Sequence, residues 1–128
     1  MNTDAQVLMY NFKEDSRTRQ ITRYLNISGI SYKTISATEY LHPLGYLFKL
    51  PGFSPSTQFN LGGNFTEEML VMNQFSPEQQ TAFLNFFHTN RLEPVSLKAV
   101  LTPVTCHWSS LKLHEELSKE HTFMHRKK

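Results

Sequence analysis

Apolar positions gather in four short runs, and between two pairs of them the apolar residues fall at helical spacing. Val7-Leu8-Met9-Tyr10, within 7–12, predicts a strand. Lys13-Glu14-Asp15-Ser16 offers helix N-cap residue types, and Ile21, Tyr24, Leu25 and Ser28 then recur at the spacing of one helix face. Gly29 suits the left-handed position just past a helix end. Residues 31–36 are rich in β-branched and aromatic types and predict a second strand. Its alternation of Tyr32, Thr34 and Ser36 with Lys33 and Ile35 is that of an edge strand.

The pattern returns about 62 residues later, as an internal repeat would. Leu8-Met9-Tyr10-Asn11 lines up with Leu70-Val71-Met72-Asn73, and Ile21, Tyr24 and Leu25 line up with Phe83, Phe86 and Phe87. Ser76-Pro77-Glu78-Gln79 combines an N-cap serine, a proline at the first helical position and a glutamine positioned for a capping box. That second helix is expected to run to about Asn90, with a fourth strand over 95–101.

Two consecutive β-α-β units predict an α/β (α+β) fold of the ferredoxin-like kind, a duplicated β-α-β with a four-stranded sheet. The first and third strands are expected side by side at its centre and parallel to each other. Both are apolar on both faces, so the sheet needs cover beyond the two repeat helices. Two segments outside the repeat offer it. One is a long apolar insert, 38–66, with Tyr46, Leu47, Phe48 and Phe53. The other is a C-terminal helix over 109–124, with Leu113, Leu117 and Met124 as its apolar stripe. The chain is thus read as a single domain, 1–128, with halves at 7–36 and 69–101.

Composition narrows the class. A chain of 128 residues can bury roughly two thirds of its unfolded surface and needs no disulfide or metal to hold it. Hydrophobic residues at 39% and charged residues at 19% are ordinary for a globular chain. A net charge of +2 does not argue for nucleic acid or membrane surface. The single cysteine, the absence of a basic-then-apolar leader and the lack of a run near the ~20 apolar residues of a membrane span make a cytoplasmic location the expectation.

Several stretches in order carry a family resemblance: Leu44-Gly45-Tyr46-Leu47, Glu67-Glu68-Met69-Leu70-Val71-Met72, Leu97-Lys98-Ala99-Val100-Leu101-Thr102, Cys106-His107-Trp108 and Glu115-Glu116-Leu117 through Glu120-His121. From Val7 to His121 the chain resembles a bacterial, Clostridia-type family of small proteins, catalogued only as a domain of unknown function. The resemblance implies a bacterial, cytoplasmic, stand-alone domain and brings no site residues with it.

Candidate chemistry is sparse. Cys106 and His107 precede the last helix, where a thiol can be acidified and a histidine can assist it. Adjacent residues usually point apart, however, and a thiol packed beside Trp108 is the plainer account. His121 and His125, four apart on a helix, have the spacing of a two-nitrogen metal site, although a zinc-protease helix would place Glu after His121. Surface histidines explain them more simply, and no metal or cofactor is expected. Arg19 and Arg23, one helical turn apart, suit a phosphate or an acidic partner, or simply a solvated face. The central strands lack the aromatic platform of an RNA-binding sheet, with Leu8 standing where a stacking ring belongs.

The reading that follows is a non-catalytic ligand- or protein-binding module. Tyr46, Phe48, Phe53, Trp108, Arg19 and Arg23 are its candidate contacts, and a small ligand, a protein or a second copy of the chain its candidate partner. The alternative is a small enzyme using Cys106 and His107.

Overall fold

The computed structural model describes residues 4–126 except 59, 61 and 63. Four strands, β1 (Gln6–Tyr10), β2 (Ser31–Ile35), β3 (Met69–Asn73) and β4 (Leu97–Val100), form one sheet in the order β2-β1-β3-β4. Four helices accompany them: α1 (Ser16–Ile27), α2 (Leu44–Leu47), α3 (Pro77–Thr89) and α4 (Ser110–Arg126). The fold is mixed α/β, with β1 and β3 at the centre.

The strand directions correct two expectations. β1 and β3 are antiparallel, Leu8 facing Val71 and Met9 facing Leu70, where a parallel pair was expected. β2 lies directly beside β1 and β4 directly beside β3, both parallel. A ferredoxin-like sheet splits each β-α-β unit with a strand of the other, and no strand intervenes here. The cause is the connection after β2. A tight turn would tie β3 to β2 as a hairpin, whereas residues 36–68 are long enough to carry the chain past β1 to its far side.

Each unit has a strand, a capped helix and a parallel strand, and several of their local devices are alike. Asp15 caps α1 by accepting from the Thr18 amide, and Ser76 caps α3 in a capping box with Gln79. Ser28 and Asn90 end the helices, and Gly29 (φ 73°) and Arg91 (φ 55°) follow them in the left-handed region. Asn11 and Gln74, the residues after β1 and β3, share a φ of 64°.

Alternation along β1 and β3 divides the core in two. Val7, Met9, Leu70 and Met72 pack under α1 and α3 with Ile21, Leu25, Phe83 and Phe87. Leu8, Tyr10, Met69 and Val71 point the other way and meet Tyr40, Leu44, Leu47, Phe48 and Phe65 from the insert and Leu113 from α4. The insert and α4 therefore cover the second face. Between them, Ser110 donates its amide to the Tyr40 carbonyl and Leu44 donates to the Trp108 carbonyl.

Candidate functional site

With both sheet faces covered, two grooves lie at the sheet's corners, apart from a separate hollow of about 440 Å³ on the outer surface of α3. The larger of two such grooves, about 420 Å³, lies where β3 and β4 begin, beside α4. Glu67, Glu68, Glu93, Ser96, Leu97 and Ser118 are among its lining residues.

Its walls are placed by contacts from three other elements. The left-handed turn at Asn11 aims its side-chain amide at the lead-in to β3, where Nδ2 donates to the carbonyls of Phe65 (3.0 Å) and Glu67 (2.9 Å). Arg17, near the start of α1, joins the lead-ins of β3 and β4. Its Nη1 lies 2.7 Å from Glu68 Oε2 and its Nε donates to the Glu93 carbonyl at 2.9 Å. From α4, His114 stacks on Phe65 with ring centroids 4.0 Å apart, and its Nε2 stands 3.1 Å from Glu67 Oε1 and 3.4 Å from Ser118 Oγ.

Three glutamates thus line one concavity, with Arg17 paired to Glu68 and His114 beside Glu67. A hydrogen bond from its own backbone N–H, followed by those from His114 and Thr66, holds the Glu67 carboxyl below the usual carboxylate range, with partial burial opposing. Lys98, on β4, gives its ammonium to the Val95 carbonyl, and burial lowers its pKa. Two of the three glutamates therefore have partners, Glu68 in Arg17 and Glu67 in His114.

His114 does not complete a nucleophilic relay. Such a relay needs a carboxylate on one ring nitrogen and a hydroxyl on the other, whereas Glu67 and Ser118 both approach Nε2.

A second groove, of about 370 Å³, lies where β1 and β2 begin. Gln6, Ser31, Lys33 and Lys49 are among its lining residues, and no carboxylate is. The acidic character is a property of the corner beside α4 and not of strand starts in general.

The residues singled out from sequence lie elsewhere. Cys106, in a 3₁₀ turn over Thr105–His107, donates its thiol to the Pro103 carbonyl, while the His107 ring lies 5.1 Å from Phe53. The two side chains go to different partners. Phe48 is buried in the second core, and Tyr46 and Trp108 pack half-buried against it. Lys112 Nζ sits 5.3 Å from the centroid of the Trp108 ring. Phe53 packs over Gly45, so α2 and the 105–110 segment do bring the four aromatic candidates together, as cover. Arg19 and Arg23 are exposed on α1. The side chains of His121 and His125 lie outside the described residues. Among the described residues no group of three or more His, Cys, Asp or Glu is placed to hold a metal ion.

Sequence reasoning missed Glu67, Glu68, Glu93, His114 and Ser118 as one set.

Fold and site together define a mixed α/β protein with its sheet covered on both faces and an acidic groove at one corner. Within it, residues 68–124 match the model of a family described as Domain of unknown function (DUF3783). That segment runs from the lead-in of β3 through most of α4, and it contains six of the groove's seven lining residues. Comparisons with curated proteins and with solved structures find no match. Among the described residues no helix is long and apolar enough to cross a membrane.

Proposed function

We propose that the protein is a non-catalytic binding module that receives a cationic group of a partner, an arginine or lysine side chain, in the groove beside α4. The observation that carries this reading is the convergence of Glu67, Glu68 and Glu93 on one concavity with a single arginine paired among them. Buried carboxylates would need partners of their own, but the Glu67 side chain is 61% exposed and stays available to a ligand. A guanidinium suits the site because it offers five donors in a fixed plane and remains charged at every accessible pH. The position of six lining residues within the matched segment supports a role belonging to the domain itself. The resemblance to a Clostridia-type family supports a bacterial, cytoplasmic setting.

The enzyme alternative has less support. The Cys106 thiol is engaged by a backbone carbonyl, and the His107 ring turns to Phe53.

Calorimetric titration with an acetylated, amidated Gly-Arg-Gly peptide tests the reading. Glu93→Gln removes one lining carboxylate whose residue meets Arg17 through its backbone carbonyl alone, so the fold should be kept. Binding is expected to weaken several-fold in E93Q and to fall with salt, as contacts between exposed charges do. Equal affinity in parent and E93Q, or no binding by either, would refute it.

A further inference from the structure

We infer that the open edge of β2 takes an extended segment of a partner protein as an added strand, with an acidic side chain of that segment received by Lys49 beside Lys33. The surface is a different corner of the sheet from the acidic groove, and the inference does not depend on that groove.

The backbone of β2 is open on its outer side. β2 ends the sheet, with β1 on one side and no described strand on the other. The Ser31 amide donates to the Ala5 carbonyl, and a parallel ladder alternates the residues it bonds. Ser31, Lys33 and Ile35 therefore turn their backbone groups to β1, while Tyr32 and Thr34 turn theirs outward. N–H and C=O groups repeating at strand spacing are the complement of another extended backbone. Ser31 to Thr34 are all exposed. The sheet's other edge is less open, since β4 begins on a buried residue, continues half-buried and packs with α4.

A groove lies against this edge. Register sets Ser31 and Lys33 beside Gln6 and Leu8, on the face that the insert covers. The cover stops short of the start of β2 and leaves the concavity of about 370 Å³, lined by Leu8, Leu47 and Phe48 as well as Ser31, Lys33 and Lys49. A lysine on an edge strand commonly deters pairing. Here Lys33 is drawn to Glu39, its Nζ 3.1 Å from Oε2. Lys49 is exposed and makes no ion pair with a described residue, so it is the uncompensated charge of the groove.

An added strand puts every second side chain on this face, where a carboxylate meets Lys49. Its alternate side chains lie beside Tyr32, which is 39% exposed. Charge also decides against a second copy as the occupant. β2 carries Lys33 and no carboxylate, so two β2 strands side by side bring together only like charge.

The probe is an acetylated, amidated Thr-Val-Glu-Val-Thr peptide, which alternates as a strand does, and its charge control is Thr-Val-Lys-Val-Thr. Amide shifts and hydrogen exchange of the whole labelled protein are followed as each is added. The expected result is saturable shifts at Tyr32 and Thr34, with both amides protected from exchange at saturation. The lysine peptide should bind about tenfold more weakly. Thr34→Pro removes an outward N–H and keeps the ladder to β1, because edge strands accept proline where the N–H faces solvent. It should melt like the parent and bind the glutamate peptide about tenfold more weakly. Lys49→Glu should reverse the preference between the two peptides. Equal affinity for both peptides, unprotected amides at Tyr32 and Thr34, or no saturable binding overturns the proposal. Sedimentation that finds the parent dimeric and T34P monomeric also overturns it, because the edge then belongs to a second copy. If T34P fails to fold, exchange protection at Tyr32 and Thr34 in the parent decides.

Discussion

Tyr10, on a central strand, and Ser110, at the start of α4, place their hydroxyl oxygens 2.6 Å apart although 100 residues separate them in sequence. Both are fully buried, and the contact fastens the second cover to the sheet. Tyr40 and Phe65 flank the Tyr10 ring at centroid distances of 5.9 and 5.7 Å. Tyr10→Phe keeps the packing and leaves the Ser110 hydroxyl without this partner, so it should cost about 1–3 kcal/mol in urea unfolding. Tyr10→Phe with Ser110→Ala should cost less than the two single changes summed, because the pair is removed together.

The same tyrosine sets the alkaline limb of stability. Burial, opposed by the Ser110 hydrogen bond, pushes the Tyr10 pKa well above its ordinary value of 10.0, and burial also raises that of Tyr40. The folded state holds these protons more tightly than the unfolded chain. Their contribution is therefore complete below the ordinary tyrosine pKa and is lost as pH rises above it. Melting temperature measured up the alkaline range should fall less steeply in Tyr10→Phe than in the parent.

Gly45 lies in α2 with a backbone that any residue adopts, yet a Cβ there would come within 2.6 Å of the Phe53 ring. Helix propensity alone would make Gly45→Ala stabilising. The clash should reverse the sign and cost about 1–3 kcal/mol, as overpacking does. Phe53→Ala opens the space, so adding Gly45→Ala to that background should be neutral or favourable. Thermal melts of the three variants check the order.

Gly29 and Arg91 close α1 and α3 at corresponding positions, and both are left-handed. A side chain in that region costs roughly 1–2 kcal/mol. Gly29→Ala should destabilise by about 1 kcal/mol from strain alone, since nothing lies within 4 Å of its Cβ position. Arg91→Gly should stabilise by up to about 1 kcal/mol, less the favourable charge of an arginine at a helix end. Chemical denaturation of each variant gives the two signs directly.

These pairs mark what the sequence made legible. Ser76-Pro77-Glu78-Gln79 and Gly29 announced their helix ends because capping is local chemistry. β1 and β3 betrayed their central place by being apolar on both faces, and the surplus of Leu47, Phe48 and Leu113 matched the second face they cover. The direction of β3 against β1 was not legible, since a connection as long as 36–68 can deliver a strand either way. The groove was hidden for a related reason. Glu67 and Glu93 meet through the pairing of β3 with β4, and His114 reaches Glu67 from α4, which no spacing along the chain encodes.

On the proposed function, the acidic corner beside α4 is where this protein meets a cationic group. Backbone amide shifts of the isotope-labelled protein, followed as the acetylated, amidated Gly-Arg-Gly peptide is added, test it most directly. Saturable shifts are expected at Glu67, Glu68, Glu93, Ser96, Leu97 and Ser118, with the corner holding Lys33 and Lys49 unmoved. Shifts centred on that second corner or on the α1 surface of Arg19 and Arg23, or no saturable shift anywhere, would contradict it.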